Sequence, residues 1–343
     1  MKKTISMLLA LLFLTSVLTG CENTSTDAPS VEPSQNSSEG AARVESPAAD
    51  FEYEEGEDYV AITNYIGNDT DVVIPEMIAG KEVKGIYSFP SATVVSVDIP
   101  DTVISIRAKA FERCSALTKV VLPKNLTKID EYTFNECSSL AEIVLPESLT
   151  TIGEYAFYMC TSLKHIRIPK SVTEWDLAFS DSGLETVELA EGLESIGAAA
   201  LAATNLREVV LPSSMKTIGD AAFYKCEKLT SVTLNEGLVS LSWVNTFALT
   251  GLTEIVIPST VTDVTEADFE GCDSLQKMKF EGNAPSDFAF TPLALADENG
   301  DPLLDEDGNE IYDDIQGSYT VYYHEGAQGF TSPEWNGYTT EIW

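Results

Sequence analysis

The stretch from Pro123 to Pro169 reads PKNLTKIDEYTFNECSSLAEIVLPESLTTIGEYAFYMCTSLKHIRIP and contains one 23-residue pattern twice. In each copy the opening proline is followed by isoleucine six positions on, phenylalanine eleven on, cysteine fourteen on and leucine seventeen on. A fixed period of this length is typical of repeat proteins, in which each unit packs on its neighbours. This stretch therefore predicts a solenoid.

The pattern extends outward and recurs about eight times over residues 101–280. Its phenylalanine and cysteine positions are occupied by Phe111, Phe134, Phe157, Phe223 and Phe269, and by Cys114, Cys137, Cys160, Cys226 and Cys272. The alternating apolar residues before each proline predict a short strand, which the proline ends because it cannot donate to a ladder. The Ala-Phe-x-x-Cys portion predicts a short helical turn. Together these features predict an α+β repeat solenoid.

The repeated unit resembles the bacterial BspA-type leucine-rich repeat, also called the Treponema pallidum type. The resemblance includes Val73-Ile74-Pro75 before the repeats and Trp335-Asn336-Gly337-Tyr338 after them. It implies a curved array with a parallel β-sheet. The family's characterised members are mostly surface or secreted binding proteins and adhesins, so the resemblance also implies a binding role.

The N-terminus has the features of a targeting segment. Residues 1–20 combine Lys2 and Lys3 with an apolar stretch that is too short to span a bilayer. Leu18-Thr19-Gly20-Cys21 resembles the bacterial lipobox, which implies that Cys21 is lipidated. Residues 21–50 are rich in Ser, Pro and Ala and predict a disordered tether. We therefore expect a cell-surface protein that contacts the membrane only through its lipid.

The remaining boundaries follow from the repeats. Residues 51–100 form the predicted N-terminal capping segment, and residues 281–343 form the predicted C-terminal cap. Eight aromatic residues after residue 311 favour closure of the open core. A sugar-stacking platform at Trp335, Tyr338 or Trp343 is the alternative.

The C-terminal cap contains an acidic insertion at residues 297–314, with nine Asp and Glu and no Lys or Arg. Asp297-x-Asn299-x-Asp301 has the spacing that starts a calcium loop. Its sixth and twelfth positions, however, are Pro302 and Gly308 instead of Gly and Glu. A solvated hairpin and a weak calcium site both remain open.

Two middle units depart from the pattern. Both the unit at 170–190 and the unit at 191–212 are shortened and lack the cysteine. Trp175 replaces the usual isoleucine in the first, and Leu201 replaces the phenylalanine in the second. We expect a kink or an irregular patch here.

Charge and motif content exclude several functions. The chain has 20 Lys and Arg against 55 Asp and Glu, a net charge of −35, which disfavours nucleic acid and anionic membranes as partners. It has two histidines and contains no Gly-x-Ser-x-Gly, His-Glu-x-x-His or phosphate-loop motif. We therefore expect a monomer that is not an enzyme and has no cofactor and no metal site.

The five cysteines beyond Cys21 share one repeat position. An odd number at a packing period predicts a ladder of buried thiols instead of a disulfide framework. A bridge between stacked neighbours such as Cys114 and Cys137, or a metal site, remains an alternative.

Outward-facing residues of the predicted sheet form the candidate binding surface, called here the sheet face. It consists of Val121, Val144, His165, Arg167, Glu188 and Val210. Exposed valines and an arginine fork suit recognition of an extracellular protein or glycan. The alternatives are an envelope spacer without a specific ligand and, more remotely, a glycan-acting enzyme.

Overall fold

The computed structural model describes residues 44–241, 244–285, 288 and 319–343, with the backbone of 293–294 and 312–313. The predicted signal peptide, the lipidation site, most of the tether and nearly all of the acidic insertion lie outside the described residues. Arg43–Trp343 form one compact unit. None of the helices in the described part of the chain is long and apolar enough to cross a membrane.

The fold is built from short strands. In chain order they are β1 (Phe51–Glu55), β2 (Tyr59–Tyr65), β3 (Asp71–Val73), β4 (Met77–Ile78), β5 (Lys81–Ile86), β6 (Ser96–Asp98), β7 (Ser105–Ile106), β8 (Lys119–Val121), β9 (Lys128–Ile129), β10 (Glu142–Ile143), β11 (Thr151–Ile152), β12 (His165–Ile168), β13 (Thr186–Leu189), β14 (Ser195–Ile196), β15 (Glu208–Val210), β16 (Thr217–Ile218), β17 (Ser231–Thr233), β18 (Glu254–Ile257), β19 (Lys277–Phe280), β20 (Leu293–Ala294), β21 (Tyr312–Asp313), β22 (Thr320–Tyr323), β23 (Glu334–Trp335) and β24 (Tyr338–Ile342). Two short 3-10 helices cover Ala48–Asp50 and Glu266–Phe269.

The first sheet takes one strand from each turn of the solenoid. Its hydrogen-bonded groups are β3–β6–β8–β10, β12–β13, β15–β17 and β18–β19–β22–β24, all parallel. A second parallel sheet forms on the next side of each turn and includes β5–β7, β9–β11 and β14–β16. Period-2 alternation places Val120, Ile143 and Ile166 in the core and their neighbours outside.

The third side of each solenoid turn follows the strand of the second sheet, and here the structure differs from the predicted helical turns. Between residues 109 and 249 the Ala-Phe-x-x-Cys portion forms turns with two left-handed residues four positions apart, such as Tyr132 and Glu136, each at φ 57°. Among the described repeats, only the last has a short 3-10 helix here, at Glu266–Phe269. The N–H of Phe134 donates to Ala156 O at 2.8 Å, and that of Glu136 donates to Tyr158 O at 2.8 Å. Because these N–H groups point to the next turn, they do not close a helix, and the solenoid is almost wholly β.

The array is longer than eight units. It has about 11 turns, because both predicted capping segments add strands to it. In the N-terminal segment β3 pairs with β6 and β5 pairs with β7, and at the C-terminus β22 and β24 extend the first sheet.

The predicted tether ends before residue 50. The N–H of Ser46 donates to Val73 O at 2.8 Å, and the Ser46 hydroxyl accepts from the Val73 N–H at 3.1 Å. Glu45 also accepts from the backbone N–H of Glu76 at 3.0 Å. These contacts cover the free edge of β3, because the first strand of a parallel sheet otherwise leaves its polar groups unpaired.

Phenylalanine rings stack through the core from turn to turn. The first column consists of Phe89, Phe111, Phe134, Phe157 and Phe179, with centroids 4.9–5.4 Å apart. Leu201 interrupts it, and Phe223, Phe247 and Phe269 resume it. The fixed 23-residue count had not placed Phe89, Phe179 or Phe247 in this column.

The sequence predicts a kink or an irregular patch at the shortened middle units, and the hydrogen-bonded pairing of the first sheet is interrupted there, between β13 and β15. Strands β12 and β13 pair over four residues, from His165↔Thr186 to Ile168↔Leu189. Trp175 is buried, and its ring N–H donates to Ser195 O at 3.1 Å. The residues that these units lack, compared with the 23-residue pattern, are missing from the turns and not from the strands.

The C-terminal aromatics pack against the last turns. Phe280, Phe288, Phe330 and Trp335 lie within 4.8–6.1 Å of one another, ring centroid to ring centroid, in five close pairs. Such a cluster excludes water from the end of the core. Strands β20 and β21 pair in antiparallel orientation; β20 precedes the acidic insertion and β21 lies near its C-terminal end.

Candidate functional site

The structure places all six residues of the sheet face on the outer side of the first sheet or directly after one of its strands. Val144 is 82% exposed, Val210 58% and Val121 45%, although each follows a buried residue. Val121, Val144, Arg167, Glu188 and Val210 belong to successive turns. The inward and outward assignment made from the alternation is therefore confirmed.

The centre of the sheet face is an ion-paired group. Arg167 and Glu188 are direct neighbours in the β12–β13 pairing, and Arg167 Nε donates to Glu188 Oε1 at 2.9 Å. The guanidinium also pairs with Glu147. Partial burial acts to lower the pKa of Arg167, but its hydrogen bonds to both carboxylates outweigh this and raise it. The Arg167 guanidinium, which the sequence predicts as a ligand contact, is therefore already paired with carboxylates of the same chain.

His165 lies on the same strand two residues earlier. Its Nδ1 is 2.9 Å from Thr186 Oγ1, and the two residues are paired across β12 and β13. The sheet face therefore consists of Val121 and Val144 on one side, a polar centre at His165, Arg167 and Glu188, and Val210 on the other.

The cysteine position is a structural feature. All five cysteines are free and buried, and no group of metal-binding side chains occurs among the described residues. Each thiol donates to a carbonyl of the preceding turn, as Cys137 does to Phe111 O at 3.0 Å and Cys160 to Phe134 O at 3.2 Å. Burial raises the pKa of Cys160 to about 12 and that of Cys226 to about 11, which leaves both thiols protonated and unreactive.

In the turns that lack the cysteine, a serine or threonine occupies its position. Thr204 Oγ1 lies 3.2 Å from Cys226 Sγ, and Thr250 Oγ1 lies 3.2 Å from Cys272 Sγ. Ser182 occupies the same place after Phe179 and is buried too. The sequence signal is Phe or Leu followed three residues later by Cys, Ser or Thr, and a search for cysteine alone misses it.

Two of the three aromatics considered as a sugar platform are not accessible. Trp335 and Tyr338 are buried in the C-terminal aromatic cluster. Trp343 is 42% exposed and stacks on His324 with ring centroids 4.7 Å apart. The ammonium of Lys279 lies 5.0 Å from the Trp343 ring centroid.

A surface that the sequence did not single out lies on the third side. Met159 and Leu249 occupy the second left-handed position of their turns and are 42% and 40% exposed. The half-buried Tyr155 and Tyr158 belong to the same turn as Met159. The four-residue spacing of left-handed positions identifies this surface, but it becomes visible only once the turns are known.

Solved structures of repeat proteins from several bacteria are similar to this chain. A leucine-rich repeat protein from Bacteroides ovatus ATCC 8483 is 24% identical, with a TM-score of 0.58, over 80% of this chain and 70% of that one. The Treponema pallidum leucine-rich repeat protein is 30% identical, with a TM-score of 0.45, over 60% of this chain and 89% of that one. A leucine-rich cell surface protein from Faecalibacterium prausnitzii A2-165 is 21% identical, with a TM-score of 0.30, over 70% of this chain and 89% of that one. No curated protein matches the chain.

A family model described as the BspA type leucine rich repeat region, in six copies, matches residues 83–202 and 175–291. Together these matches cover more than half of the chain. They include the stacked phenylalanines, the buried thiols and most strands of both parallel sheets described above. The chain therefore belongs to the BspA-type leucine-rich repeat family.

Proposed function

We propose that this chain is a lipid-anchored cell-surface protein that recognises an extracellular protein or glycan through the sheet face. The observation that carries the proposal is the exposure of Val144 and Val210 on a rigid parallel sheet, on either side of a polar centre. Membership of the BspA-type family supports a surface location and a binding role.

The sheet face suits a partner that is partly apolar. Each exposed valine removed from water contributes free energy in proportion to its buried apolar area, about 25 cal/mol per Å². Arg167 is held by exposed carboxylates, and exposed ion pairs contribute only about 0–1 kcal/mol. A ligand carboxylate therefore exchanges with Glu147 or Glu188 at small cost.

The test is binding of the full chain to an immobilised panel of extracellular-matrix proteins, mucins and cell-wall glycans, followed by titration of any probe that binds. Arg167→Ala and Val144→Ser should each weaken binding at least tenfold, which corresponds to about 1.4 kcal/mol. Lys128→Ala is the matched control, because Lys128 is an exposed cation paired with Asp130 at 2.6 Å on the second sheet.

Equal affinities of all three variants for the probe would remove the sheet face as the binding surface. If no probe binds the wild type, a spacer without a specific ligand becomes the better account. The proposal includes no catalytic step, no cofactor and no metal.

The anchor is tested separately. Metabolic labelling with an alkyne fatty acid should tag the wild type and leave Cys21→Ser unlabelled, because the lipobox-like Leu18–Cys21 leads to modification of that cysteine. Labelling of both proteins to the same level would refute the anchor without affecting the sheet face.

A further inference from the structure

The third side of the solenoid carries a mainly apolar strip on a strongly acidic protein. Met159, Val244 and Leu249 are all exposed there, while the whole chain has a net charge of −35. Charged side chains at the left-handed positions of these middle turns are few and include Asp181 and Lys225. The apolar residues of this strip are interrupted by Asp181 and Lys225, and an apolar-rich stretch with so few charges on a strongly acidic protein marks a candidate interaction site.

Tyrosines form one wall of this strip. Tyr132 and Tyr155 stack with ring centroids 5.2 Å apart, and Tyr158 meets Tyr155 edge to face at 5.5 Å. All three rings are half-buried. Because each ring is held by its neighbour, the wall loses little conformational entropy when a ligand binds.

Small side chains separate this wall from a second one. The N–H of Asp181 donates to Ala202 O at 2.9 Å, and the N–H of Ala203 donates to Tyr224 O at 2.7 Å. Together with the bond from the Phe157 N–H to Ala178 O at 2.8 Å, these bonds order the turns that contain Tyr158, Asp181, Ala203 and Tyr224. At about 4.8 Å per turn, the two outer tyrosines lie roughly 14 Å apart along the array, with alanine between them.

The carboxyl group of Asp181 lies between the walls. Desolvation raises the pKa of Asp181 against the opposing charge of Lys225, although the residue is exposed. Burial is the main cause of the raised pKa of Tyr155 and Tyr158, and the charge of Asp181 is the second cause for Tyr158 and a minor one for Tyr155. Among the described residues no side chain or N–H donates a hydrogen bond to this carboxylate. Asp181 is exposed, so its carboxylate, which only accepts hydrogen bonds, is accessible to a ligand that carries donors.

We propose that Tyr155, Tyr158, Asp181, Ala203 and Tyr224, called here the tyrosine patch, bind a neutral oligosaccharide. The C–H faces of sugar rings suit the negative faces of aromatic rings, and sugar hydroxyls can donate hydrogen bonds to the Asp181 carboxylate. Because the side chain of Ala203 is small, a sugar ring can approach the backbone of the turns. The net charge of −35 opposes an anionic glycan or a second copy of this chain.

The test is binding of the full chain to cellohexaose, chitohexaose, laminarihexaose and mannohexaose by isothermal titration calorimetry, with a heparin hexasaccharide as the anionic arm. At least one neutral probe should bind. Asp181→Asn and Tyr158→Ala should each weaken that binding tenfold or more, whereas Tyr322→Ala should not. Tyr322 is a half-buried tyrosine on the first sheet and is therefore the matched control.

Asp181→Asn keeps the shape of the side chain and removes no contact among the described residues, so it tests the proposal even if Tyr158→Ala unfolds. Three outcomes would overturn the proposal: none of the neutral probes binds, only the heparin fragment binds, or Tyr322→Ala is as harmful as Asp181→Asn. The sheet face is a different surface, so its failure and that of the tyrosine patch are distinguishable.

Discussion

The regular turns at 101–169 and the shortened turns at 170–212 reach the same architecture by different routes. In the regular turns each cysteine is followed by two residues and then leucine, whereas Ser182-Gly183-Leu184 has only one residue between. A Cβ on Gly183 would lie 2.0 Å from Thr161 O of the longer turn before it. The comparison teaches that turn length varies freely if the first short turn after a long one carries glycine.

The same rule applies where the array shortens again. Thr250-Gly251-Leu252 follows the long turn at Cys226–Leu229, and a Cβ on Gly251 would lie 2.6 Å from Glu227 O. Thr204-Asn205-Leu206 follows a turn that is itself short, and it carries asparagine. Glycine is therefore required where a short turn follows a longer one, and not in every short turn.

The largest expected effect tests the core that both regions share. Phe157→Ala should lower the free energy of unfolding by about 3–5 kcal/mol, because it empties a fully buried site in the ring column. Leu201→Ala in the shortened region should cost about 2–5 kcal/mol for the same reason. Urea denaturation measures both. A cost below 1 kcal/mol for Leu201→Ala would mean that the shortened turns are not packed as described.

A smaller effect is expected from the glycine step. Gly183→Ala should destabilise the protein by about 1–3 kcal/mol, because backbone atoms of the preceding turn must move to admit the new methyl group. Asn205→Ala, at the equivalent place in the next turn, should stay within about 0.5 kcal/mol. Equal urea midpoints for Gly183→Ala and the wild type would show that a short turn after a longer one does not require glycine.

The thiols of the regular turns give a chemical contrast with the hydroxyls of the shortened ones. Burial holds the pKa of Cys160 at about 12 and that of Cys226 at about 11. At pH 8 both remain thiols, so a disulfide reagent such as DTNB should label neither in the native protein and both in urea. Rapid native labelling, located by peptide mass spectrometry, would show that these turns open.

The smallest effects are expected on the sheet face. Val144→Ala should change the free energy of unfolding by less than about 0.5 kcal/mol, since the side chain is mostly in water. Arg167→Ala should cost no more than about 1 kcal/mol, the upper range for an exposed ion pair. A larger loss for either in thermal melts would indicate a structural role and weaken the binding proposal.

Much of the fold follows from sequence periodicity. The solenoid, the parallel sheet, the buried thiols and the outward position of Val144 all follow from which residues recur and from strand alternation. The count of turns does not, because segments such as 71–73 and 320–323 add strands without the full pattern. A fixed 23-residue count also misses Phe179 and Phe247, because turns of other lengths shift them by one position.

The candidate sites are harder to predict. Alternation places Arg167 and Glu188 on one surface, but only the paired strands show that Arg167 is held by Glu188 and also by Glu147. The helical expectation for Ala-Phe-x-x-Cys was wrong for the turns between residues 109 and 249, since residues with good helix propensity there take left-handed backbone angles imposed by bonds to the next turn. That error also hid the tyrosine patch, whose members come together only through those turns.

The bonds between Ser46 and Val73 have a mechanical consequence. Any tension on the segment before residue 44 enters the array at this edge, through the pair of hydrogen bonds at 2.8 and 3.1 Å. Each turn is coupled only to its neighbours, so force detaches the N-terminal turn first and reaches the next one only afterwards. A protein held from this end in flow would lengthen stepwise at its base while its distal turns stay folded and able to hold what they bind.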